Sequence, residues 1–532
     1  MTKKHLPMPL ALPILISTLV FACKEIKKKV VQTVVADTTI TEKTSYNNLF
    51  LDSARLNQFL SNNPSFAKYH DQYQDFYKHR NYEFAWFDSS GIAEQAGGLI
   101  NLLNSGMVSL GDSSLYDKKL YGLYDKYKND RQKGMTDEMV NAEFLFTGQF
   151  FKYVSKVYNG SDVDAKSLGW FIPRKKIDFT AMLDSTLAGK PDDPENDKFF
   201  NPQYKELRSF LDQYLKAQKS GRWDSIVLPV AKYKLHDRSK TIVKIKRRLF
   251  LLGDLPEKDT TKIFNDEMVE AVKSFQGRMG LTPDGVIGNN MMTKLNIPID
   301  TLVQTLLINI ERARWMPAKM TKPYIVVNIP EYKLHVYDTA ENFDMNVIVG
   351  SAVNSTVIFS GNLRYVVFAP YWNVPSSIVR KEMMGKSKSY FESRNMEILG
   401  YKKDGEPIVR RKPGPDNDLG LVKFLFPNDY NIYLHDTPHR DLFSNTNRSL
   451  SHGCIRISDP PKMAAYLLRD QPKYTTEKID SLMHNLKETW VDVKKPVPVY
   501  LVYFTAWVDG NGKLNFRKDI YGHDGKMAAK LF

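Results

Sequence analysis

Hydrophobic and polar positions divide the chain into a helix-prone first part and a strand-prone second part. Residues 45–236 contain long aromatic and aliphatic stretches such as FAKYHDQYQDFYKHRNYEFAWF and EFLFTGQFFKYVSKVY. The aromatic residues that would crowd one helix of this part are Phe144, Phe146, Phe150, Phe151 and Tyr153. Such crowding favours a hydrophobic core over a ligand-binding box, and the region offers no catalytic constellation. We therefore predict a helical scaffold domain over residues 45–236.

Residues 237–297 show a tighter helical pattern. Apolar residues recur at the spacings of three and four that suit an amphipathic helix, at Ile242, Ile245, Leu249 and Leu252. Gly253 is placed to end this helix. A second helix follows over EMVEAVKSFQGRMGL and ends near Gly280, and DGVIGNNMMTKLN predicts two turn glycines and a short third helix. The pattern therefore predicts a compact three-helix module.

From Tyr324 onward the pattern changes to strands. Short β-branched and aromatic runs stand between turn residues, as in YIVVNI, KLHVYD, MNVIVG, RYVVFAPYWNV, KFLFP and NIYLHD. Closely spaced short strands favour a sandwich or a barrel over alternating β-α units. We predict a mostly β, sandwich-like domain over residues 298–505 and a C-terminal tail over residues 506–532, with a turn at 509–512. The whole chain is then a multidomain α+β protein.

One charged segment interrupts the strands. Residues 376–415 contain ten basic and five acidic residues and end in Pro-Gly-Pro. The segment predicts a helical insertion followed by an ordered loop.

The N-terminus has the pattern of an export signal. Lys3 and Lys4 precede an uncharged run that ends at residue 22, which predicts a signal peptide over residues 1–22. The run Val-Phe-Ala-Cys that ends at Cys23 resembles a bacterial lipobox and implies a lipid on Cys23 that anchors the protein to a membrane. A signal cut nearby, or an uncleaved anchor, is the alternative. Residues 23–44 then form a polar tether.

Composition narrows the class of protein without choosing its ligand. The chain has 532 residues, of which 42% are hydrophobic and 25% charged, so a wholly disordered chain and a polytopic membrane protein are excluded. The formal net charge of +15 favours nucleic acid, anionic lipid or a carboxylate-bearing polymer as a partner. Two cysteines, Cys23 and Cys454, are too few for a disulfide-stapled scaffold.

The stretch IYLHDTPHRDLFSNTNRSLSHGCIRISDP carries the candidate chemistry. It places one thiol, Cys454, among three histidines: His435, His439 and His452. An imidazole can take the proton of a thiol, which is otherwise a weak nucleophile at neutral pH. His435 ends an apolar strand 19 residues before Cys454, a separation that fits a strand, a loop and a return. Gly453 would let successive N–H groups converge on one spot, as an oxyanion hole requires.

Three other interpretations stay open on these residues alone. Cys454 could be a buried, inert cysteine. One cysteine with three histidines could bind zinc, because both residue types are zinc ligands. Any of the histidines could also be a polar side chain with satisfied hydrogen bonds.

The order of the motif residues adds a family resemblance. His435, fifteen intervening residues and then Ser-His-Gly-Cys-Ile-Arg over residues 451–456 resemble the active-site motif of L,D-transpeptidases with a YkuD-type catalytic domain. The flanks PYWNVPSSI and KPGPDNDLGLVKFLFPNDYNIYLHDTP are similar to those of the large multidomain enzymes of Gram-negative envelopes. AVKSFQGRMGLTPDGVIGNNMMTKLN resembles a three-helix peptidoglycan-binding module, with a spacer that has lost its groove as the alternative. The resemblance implies a mostly β catalytic fold and no metal or organic cofactor.

The resemblance also implies roles for the motif residues. Cys454 would be the nucleophile, His435 the general base, and the carbonyl of Asp436 would orient the imidazolium. The residues expected to shape the catalytic loop are Ser451 and His452, and those expected to form the oxyanion hole through their N–H groups are Gly453 and Cys454.

Three further residues would serve the substrate or the fold. Arg456 would support the loop or meet a substrate carboxylate, with loop support as the favoured role. Tyr371 and Trp372 would line the donor-peptide groove or pack in the core. Residues 376–415 correspond to a capping subdomain of the related large enzymes.

The function implied is an exported, lipid-anchored transpeptidase of peptidoglycan that acts in the periplasm. It would join the third residues of two stem peptides (3-3 cross-links) through a thioester on Cys454, and carbapenems would acylate the same thiol. Its expected partners are stem peptides and, through the lipid, a membrane, but not nucleic acid. An L,D-carboxypeptidase or D-amino-acid exchange enzyme with the same site is one alternative, and a non-catalytic wall-tethering lipoprotein is another.

Overall fold

The computed structural model describes residues 47, 49–88, 90–110, 113–129, 134–161, 163–189, 199–221 and 223–532. The predicted signal peptide, the predicted lipidation site Cys23 and the tether lie outside the described residues. Across the ranges given, no helix combines the length and the apolar character needed to cross a membrane. The described chain is helical in its first part and β-rich in its last, which confirms the predicted α+β class.

The first part is built from helices around an aromatic core. Its helices are α1 (Ser53–Asn62), α2 (His70–His79), α3 (Glu94–Leu110), α4 (Lys118–Asn129), α5 (Asp137–Val154), α6 (Phe179–Leu187) and α7 (Pro202–Lys219). A short hairpin pairs β1 (Phe87–Asp88) with β2 (Gly91–Ile92). Thr136 caps the N-terminus of helix α5, and its hydroxyl accepts the Met139 N–H at 3.2 Å. The aromatic residues predicted to crowd α5 or follow it are all buried, which confirms the core.

The three-helix module consists of α8 (Lys240–Leu252), α9 (Asp266–Arg278) and α10 (Asn289–Leu295). The four apolar residues of the predicted stripe on α8 are buried. Gly253 ends α8 in the left-handed conformation (φ +85°), which glycine adopts at no steric cost, so its predicted place is confirmed. Helix α11 (Ile299–Trp315) then leads into the β-rich part and packs against α7.

The β-rich part holds the motif residues. Its strands are β3 (Tyr324–Asn328), β4 (Lys333–Tyr337), β5 (Phe343–Gly350), β6 (Ser360–Phe368), β7 (Trp372–Asn373), β8 (Met396–Tyr401), β9 (Pro407–Arg411), β10 (Val422–Leu425), β11 (Leu434–His435), β12 (Ser449–Ser451), β13 (Ile455–Ile457), β14 (Thr489–Val502), β15 (Ala506–Val508) and β16 (Leu514–Phe516). Its helices are α12 (Ser376–Ile378), α13 (Lys388–Glu392), α14 (Pro460–Leu468), α15 (Thr476–His484) and α16 (His523–Leu531). The main sheet has the order β12-β5-β13-β11-β10-β6-β14-β3-β4, and β4 also pairs with β5. The sheet therefore closes on itself in a barrel-like ring.

The charged insertion differs in part from its prediction. The expected helical turns are present as α12 and α13, but the expected loop is instead a hairpin of β8 and β9. β9 also pairs with β7, which lies before the insertion in the chain. The insertion has its own small core, formed by Ile378, Val379, Met383, Phe391, Met396 and Val409. The hairpin was missed because charged residues interrupt the apolar alternation of its two short strands.

Residues 506–532 form a compact C-terminal unit rather than a tail. β15 pairs with β16 across the turn predicted at 509–512. Helix α16 packs against α11, where Arg312 pairs with Asp524 at 2.6 Å. Arg517 of the same unit donates a hydrogen bond to the Arg278 carbonyl of the module at 2.9 Å. The C-terminal unit therefore connects the module to α11.

Candidate active site

Two neighbouring strands bring the motif residues together. β11 and β13 run parallel, with Leu434 opposite Ile455 and His435 opposite Arg456. Leu434 and Ile455 are fully buried in the core. Because side chains alternate along a strand, His435 and Arg456 lie on the opposite face. Cys454 directly precedes Ile455 and extends that face, so the thiol and the predicted base occupy the same face of adjacent strands.

The thiol of Cys454 is protonated at neutral pH. It is half-buried and donates a hydrogen bond to the Asn431 carbonyl, with an Sγ···O distance of 3.5 Å. Burial raises the pKa of the thiol, while hydrogen bonds from Tyr433 and the charge of Arg456 oppose that rise. A nucleophilic role for Cys454 therefore requires a base.

His435 has the properties of such a base. It is 4% exposed, and its Nδ1 lies 2.5 Å from the Asp436 carbonyl oxygen. A carbonyl can only accept, so this contact assigns the proton to Nδ1 and leaves Nε2 able to accept another. Burial, and then the charge of Arg456, lowers the pKa of His435 to about 3, against the opposing effect of the Asp436 and Leu419 backbone groups. The imidazole is therefore neutral at pH 7.

A hydrogen bond between the thiol and the imidazole is not formed in this arrangement. Within residues 223–532, the thiol donates to Asn431, and the hydrogen bonds of the His435 ring involve the backbone groups of Asp436 and Leu419. Proton transfer to His435 therefore requires the thiol to exchange its hydrogen bond to Asn431 for one to the imidazole.

A second cation, Lys423, lies across the sheet from His435. β10 pairs antiparallel with β11, and Lys423 is directly opposite His435. Its Nζ lies 3.7 Å from the Glu488 carboxylate and 5.5 Å from the centre of the Trp490 ring. The imidazole thus stands between Lys423 on one strand and Arg456 on another, and both charges lower its pKa.

The loop that precedes Cys454 is held by two hydroxyl groups. Ser451 Oγ donates to the Cys454 carbonyl at 2.5 Å, and Thr356 Oγ1 donates to the Gly453 carbonyl at 2.8 Å. Gly453 has φ +114°, which disfavours any residue with a side chain. Its N–H donates to Ser451 Oγ at 3.1 Å, so it is engaged inside the loop rather than free for an oxyanion. The Cys454 N–H makes no hydrogen bond within residues 223–532 and keeps its predicted availability.

The remaining histidines lie outside this arrangement. His452 and His439 are both exposed, and the role of His452 in shaping the loop stays a prediction. Within the described part of the chain, no three His, Cys, Asp or Glu side chains are grouped as a metal ion would require. The ligand cluster needed for the zinc alternative is therefore not formed.

Arg456 lies on the same face as His435 and has two predicted roles. Among the described residues its guanidinium has no hydrogen-bond partner, and its Nε is buried without one. Burial lowers the pKa of Arg456, while Asp418 and Cys454 raise it. Loop support and contact with a substrate carboxylate therefore both stay predictions for Arg456.

Tyr371 and Trp372 lie where the main sheet meets the insertion. The Tyr371 N–H donates to Glu488 at 2.9 Å, and Arg410 stacks 4.1 Å from the centre of the Tyr371 ring. Trp372 lies on β7 and packs against the small core of the insertion. The contacts of Trp372 are those of core packing, and a role in the donor groove stays a prediction for both residues.

Sequence reasoning missed three residues of this site: Lys423, Tyr433 and Asn431. For two of them, the alternation of side chains along the strands indicated a place near His435. Lys423 is the only polar residue of the run VKFLF, and Tyr433 precedes His435 by two residues, so it shares the face of His435. The contact of Asn431 depends on a backbone carbonyl in a loop, which no side-chain pattern reveals.

Comparisons with known families agree with this architecture. Residues 71–211 match the family described as "Scaffold domain", and residues 238–295 match "Putative peptidoglycan binding domain". Residues 322–499, which include the whole site, match the YkuD family, described as "L,D-transpeptidase catalytic domain".

Individual proteins are similar over part of the chain. A protein of Haemophilus influenzae described as "Putative L,D-transpeptidase" is 31% identical over 282 residues, which cover 49% of this chain and 56% of that protein. The chain thus spans just over half the length of this relative.

Solved structures are similar at lower identity. The L,D-transpeptidase (Yku) of Stackebrandtia nassauensis is 13% identical, with 52% of this chain and 97% of that one covered and a TM-score of 0.19. An L,D-transpeptidase of Xylanimonas cellulosilytica is 14% identical, with 52% and 100% covered and a TM-score of 0.17. Scores this low carry no argument, and the assignment depends on the family matches. By those matches, the chain contains an L,D-transpeptidase catalytic domain of the YkuD family, preceded by a scaffold domain and a peptidoglycan-binding domain.

Proposed function

We propose that this protein is a peptidoglycan L,D-transpeptidase that forms 3-3 cross-links between stem peptides through a thioester on Cys454. The observation that carries this proposal is the parallel pairing of β11 with β13, which sets Cys454 and a neutral His435 on one face inside the family match. The matches to an L,D-transpeptidase catalytic family and to a peptidoglycan-binding family support peptidoglycan as the substrate.

The first half-reaction forms the thioester. The Cys454 thiol gives its proton to Nε2 of His435, and the sulfur attacks the carbonyl between the third residue and the terminal D-residue of a donor stem. We assign the stabilisation of the oxyanion to the Cys454 N–H and to the Tyr433 hydroxyl, which forms a hydrogen bond with the thiol. The C–N bond then breaks, and the D-residue leaves as an amine with the proton from His435.

The second half-reaction consumes the thioester. The side-chain amine of a neighbouring stem attacks the thioester carbonyl and passes a proton to His435. The C–S bond breaks, and the sulfur recovers its proton from His435. Arg456 and Lys423 are the cations placed to attract the carboxylates of the two stems.

One assay tests this function directly. Purified protein is incubated with tetrapeptide muropeptides, and the products are identified by mass spectrometry. Wild type should give cross-linked dimers, while Cys454→Ala and His435→Ala should each reduce dimer formation by about a thousandfold or more. Wild-type-like activity in either variant would overturn the mechanism. Monomers trimmed by one residue, with no dimer in the presence of an amine acceptor, would instead identify a carboxypeptidase.

Carbapenems supply a second readout of the same thiol. They present a strained amide to the nucleophile, so intact-protein mass spectrometry should show one covalent adduct on wild type. Cys454→Ala should show none, and an unmodified wild type would contradict the proposed role of Cys454.

The proposed location is the periplasm, with a lipid on Cys23 as the membrane anchor. The support is the N-terminal sequence pattern together with a substrate that lies outside the cytoplasm. Wild type should enter the detergent phase on partitioning, and Cys23→Ser should stay in the aqueous phase. A wild type found only in the aqueous phase would exclude the anchor.

A further inference from the structure

A cleft lies at the junction of the module, α11 and the C-terminal unit, away from the candidate active site. Its volume is about 340 Å³, within the range of small-ligand sites. The module contributes Lys294 and Ile297 to its lining, α11 contributes Leu302, and the C-terminal unit contributes Arg517 and Lys518. The cleft therefore exists only where three separate parts of the chain meet.

The two lysines of the cleft have no ion-pair partner among the described residues. Within the ranges that the structure describes, Lys294, Arg517 and Lys518 form no direct ion pair. The guanidinium of Arg517 donates to the backbone carbonyls of Arg278, Phe516 and Gly277 at 2.9, 2.8 and 3.5 Å, and it interacts electrostatically with Glu331 and Asp509. Lys294 is half-buried, and burial, followed by the charges of Arg517 and Lys518, lowers the pKa of its amine. Lys294 and Lys518 thus bring two unpaired positive charges together beside Arg517, which favours an anion between them.

The acidic residues of the cleft make their contacts with α11 and within the C-terminal unit. Asp519 accepts the Tyr503 hydroxyl at 2.6 Å and the His523 N–H at 3.0 Å. Asp524 is paired with Arg312 at 2.6 Å. Only Asp524 is paired with a cation, but neither carboxylate forms an ion pair with Lys294 or Lys518, so both amines are available to a ligand.

The rest of the lining indicates what such an anion is attached to. The side chains of Ile297, Leu302 and Phe516 provide an apolar wall, and Thr301 and Thr305 of α11 add hydroxyl groups. A small molecule that carries a carboxylate together with methyl and polar groups matches this lining. Peptidoglycan stem peptides have this chemistry, because they carry free carboxylates next to short aliphatic side chains.

We infer that this cleft is a second peptidoglycan-binding site, in which Lys294, Arg517 and Lys518 bind a carboxylate of a stem peptide. The inference rests on the proposed function for its ligand but uses none of the catalytic residues. Occupation of the cleft would hold the enzyme on the wall while another stem enters the active site.

Retention of the full-length protein on purified sacculi tests the cleft. In Lys294→Gln/Lys518→Gln, retention should fall by about threefold to tenfold, because two exposed or half-buried charge pairs are lost. Lys526→Gln on α16 removes an exposed lysine that does not line the cleft, and its retention should equal that of wild type. Lys294→Arg/Lys518→Arg keeps both charges and should restore retention, and thermal unfolding verifies the fold of each variant.

The ligand group is tested on the same sacculi after their carboxylates have been amidated. The difference between wild type and Lys294→Gln/Lys518→Gln should disappear there. Equal retention of the two proteins on untreated sacculi, or an undiminished difference on amidated sacculi, would overturn the inference. Acylation of Cys454 in wild type, read separately by mass spectrometry, tests the proposed function, so the two failures are distinguishable.

Discussion

The charge state of the Cys454 and His435 pair is set by burial and by two neighbouring cations. Burial penalises both the thiolate and the imidazolium, and Arg456 and Lys423 further oppose a proton on the imidazole. The resting pair is therefore a neutral thiol beside a neutral base rather than an ion pair. Charge develops only when the sulfur attacks, which is the moment at which Arg456 can stabilise it.

The pH dependence of thiol alkylation tests this assignment. Arg456 lowers the pKa of Cys454, so Arg456→Gln should raise it and slow alkylation by iodoacetamide about threefold to tenfold at a pH below the midpoint. His435→Ala should leave the midpoint nearly unchanged, because a neutral imidazole does not stabilise a thiolate. Arg456→Lys serves as the charge-retaining control. An ion pair would instead give wild type an alkylation midpoint well below the ordinary pKa of a thiol. That midpoint would then rise in His435→Ala.

Lys423 provides a separate test of what sets the pKa of His435. Its charge opposes protonation of His435, so Lys423→Met should raise the pKa of the imidazole. The base must be neutral to act, so activity falls as pH drops through this pKa, and the acid limb of kcat/KM should move upward by about 0.5 to 1 pH unit. Lys478→Met removes an exposed lysine from α15 and should leave the profile in place. An unshifted acid limb in Lys423→Met would show that Lys423 does not act on His435.

At the scale of elements, the apolar pattern predicts most of the fold but not the closure of the sheet. Period-three and period-four spacing located α8, and β-branched runs located β3, β5 and β11. The pairing of β4 with β5, which closes the ring, involves two strands whose side-chain patterns do not specify their neighbours. The sequence placed His435 and Cys454 in one motif, but the commitment of the Gly453 N–H to Ser451 depends on loop geometry, which only the structure reveals.

The insertion over residues 376–415 is the element proposed to cap the site. Its net charge is +5, and closing it over the thioester would exclude water and favour attack by the amine. Its own small core allows its removal as a unit without opening the core of the main sheet. Asn373 and Arg410 are directly paired across β7 and β9, so a two-residue glycine turn can replace residues 374–409.

The shortened enzyme should still form the thioester, but a larger share of the thioester should be hydrolysed and a smaller share cross-linked. We expect the ratio of hydrolysis to cross-linking to rise by about threefold or more, because water gains access to the acyl-enzyme. Product analysis by mass spectrometry at two amine concentrations measures this ratio. If the ratio of hydrolysis to cross-linking, and its dependence on salt, equal those of wild type, the insertion is not a lid.

At the scale of the whole molecule, the three-helix module packs against both α7 and the C-terminal unit. Arg278 of α9 forms a buried ion pair with Asp254 and contacts Tyr214 of α7 at 3.4 Å. Arg517 of the C-terminal unit donates to the Arg278 carbonyl from the other side. Deleting residues 237–297 would therefore expose surfaces of both neighbours, and point variants are the better test of wall binding.

The C-terminal unit is fixed to α11 by a buried ion pair on which we expect the stability of the whole assembly to depend. The side chains of Arg312 and Asp524 are 3% and 16% exposed, and Thr505 also donates to Asp524 at 2.7 Å. Arg312→Met would leave the Asp524 carboxylate buried without its partner, and the free energy of unfolding in urea should fall by about 3–5 kcal/mol. Lys388→Met breaks an ion pair with Glu392 whose side chains are 86% and 61% exposed, and it should cost about 0.5 kcal/mol or less. Equal losses in the two variants would mean that the buried pair does not fasten the C-terminal unit.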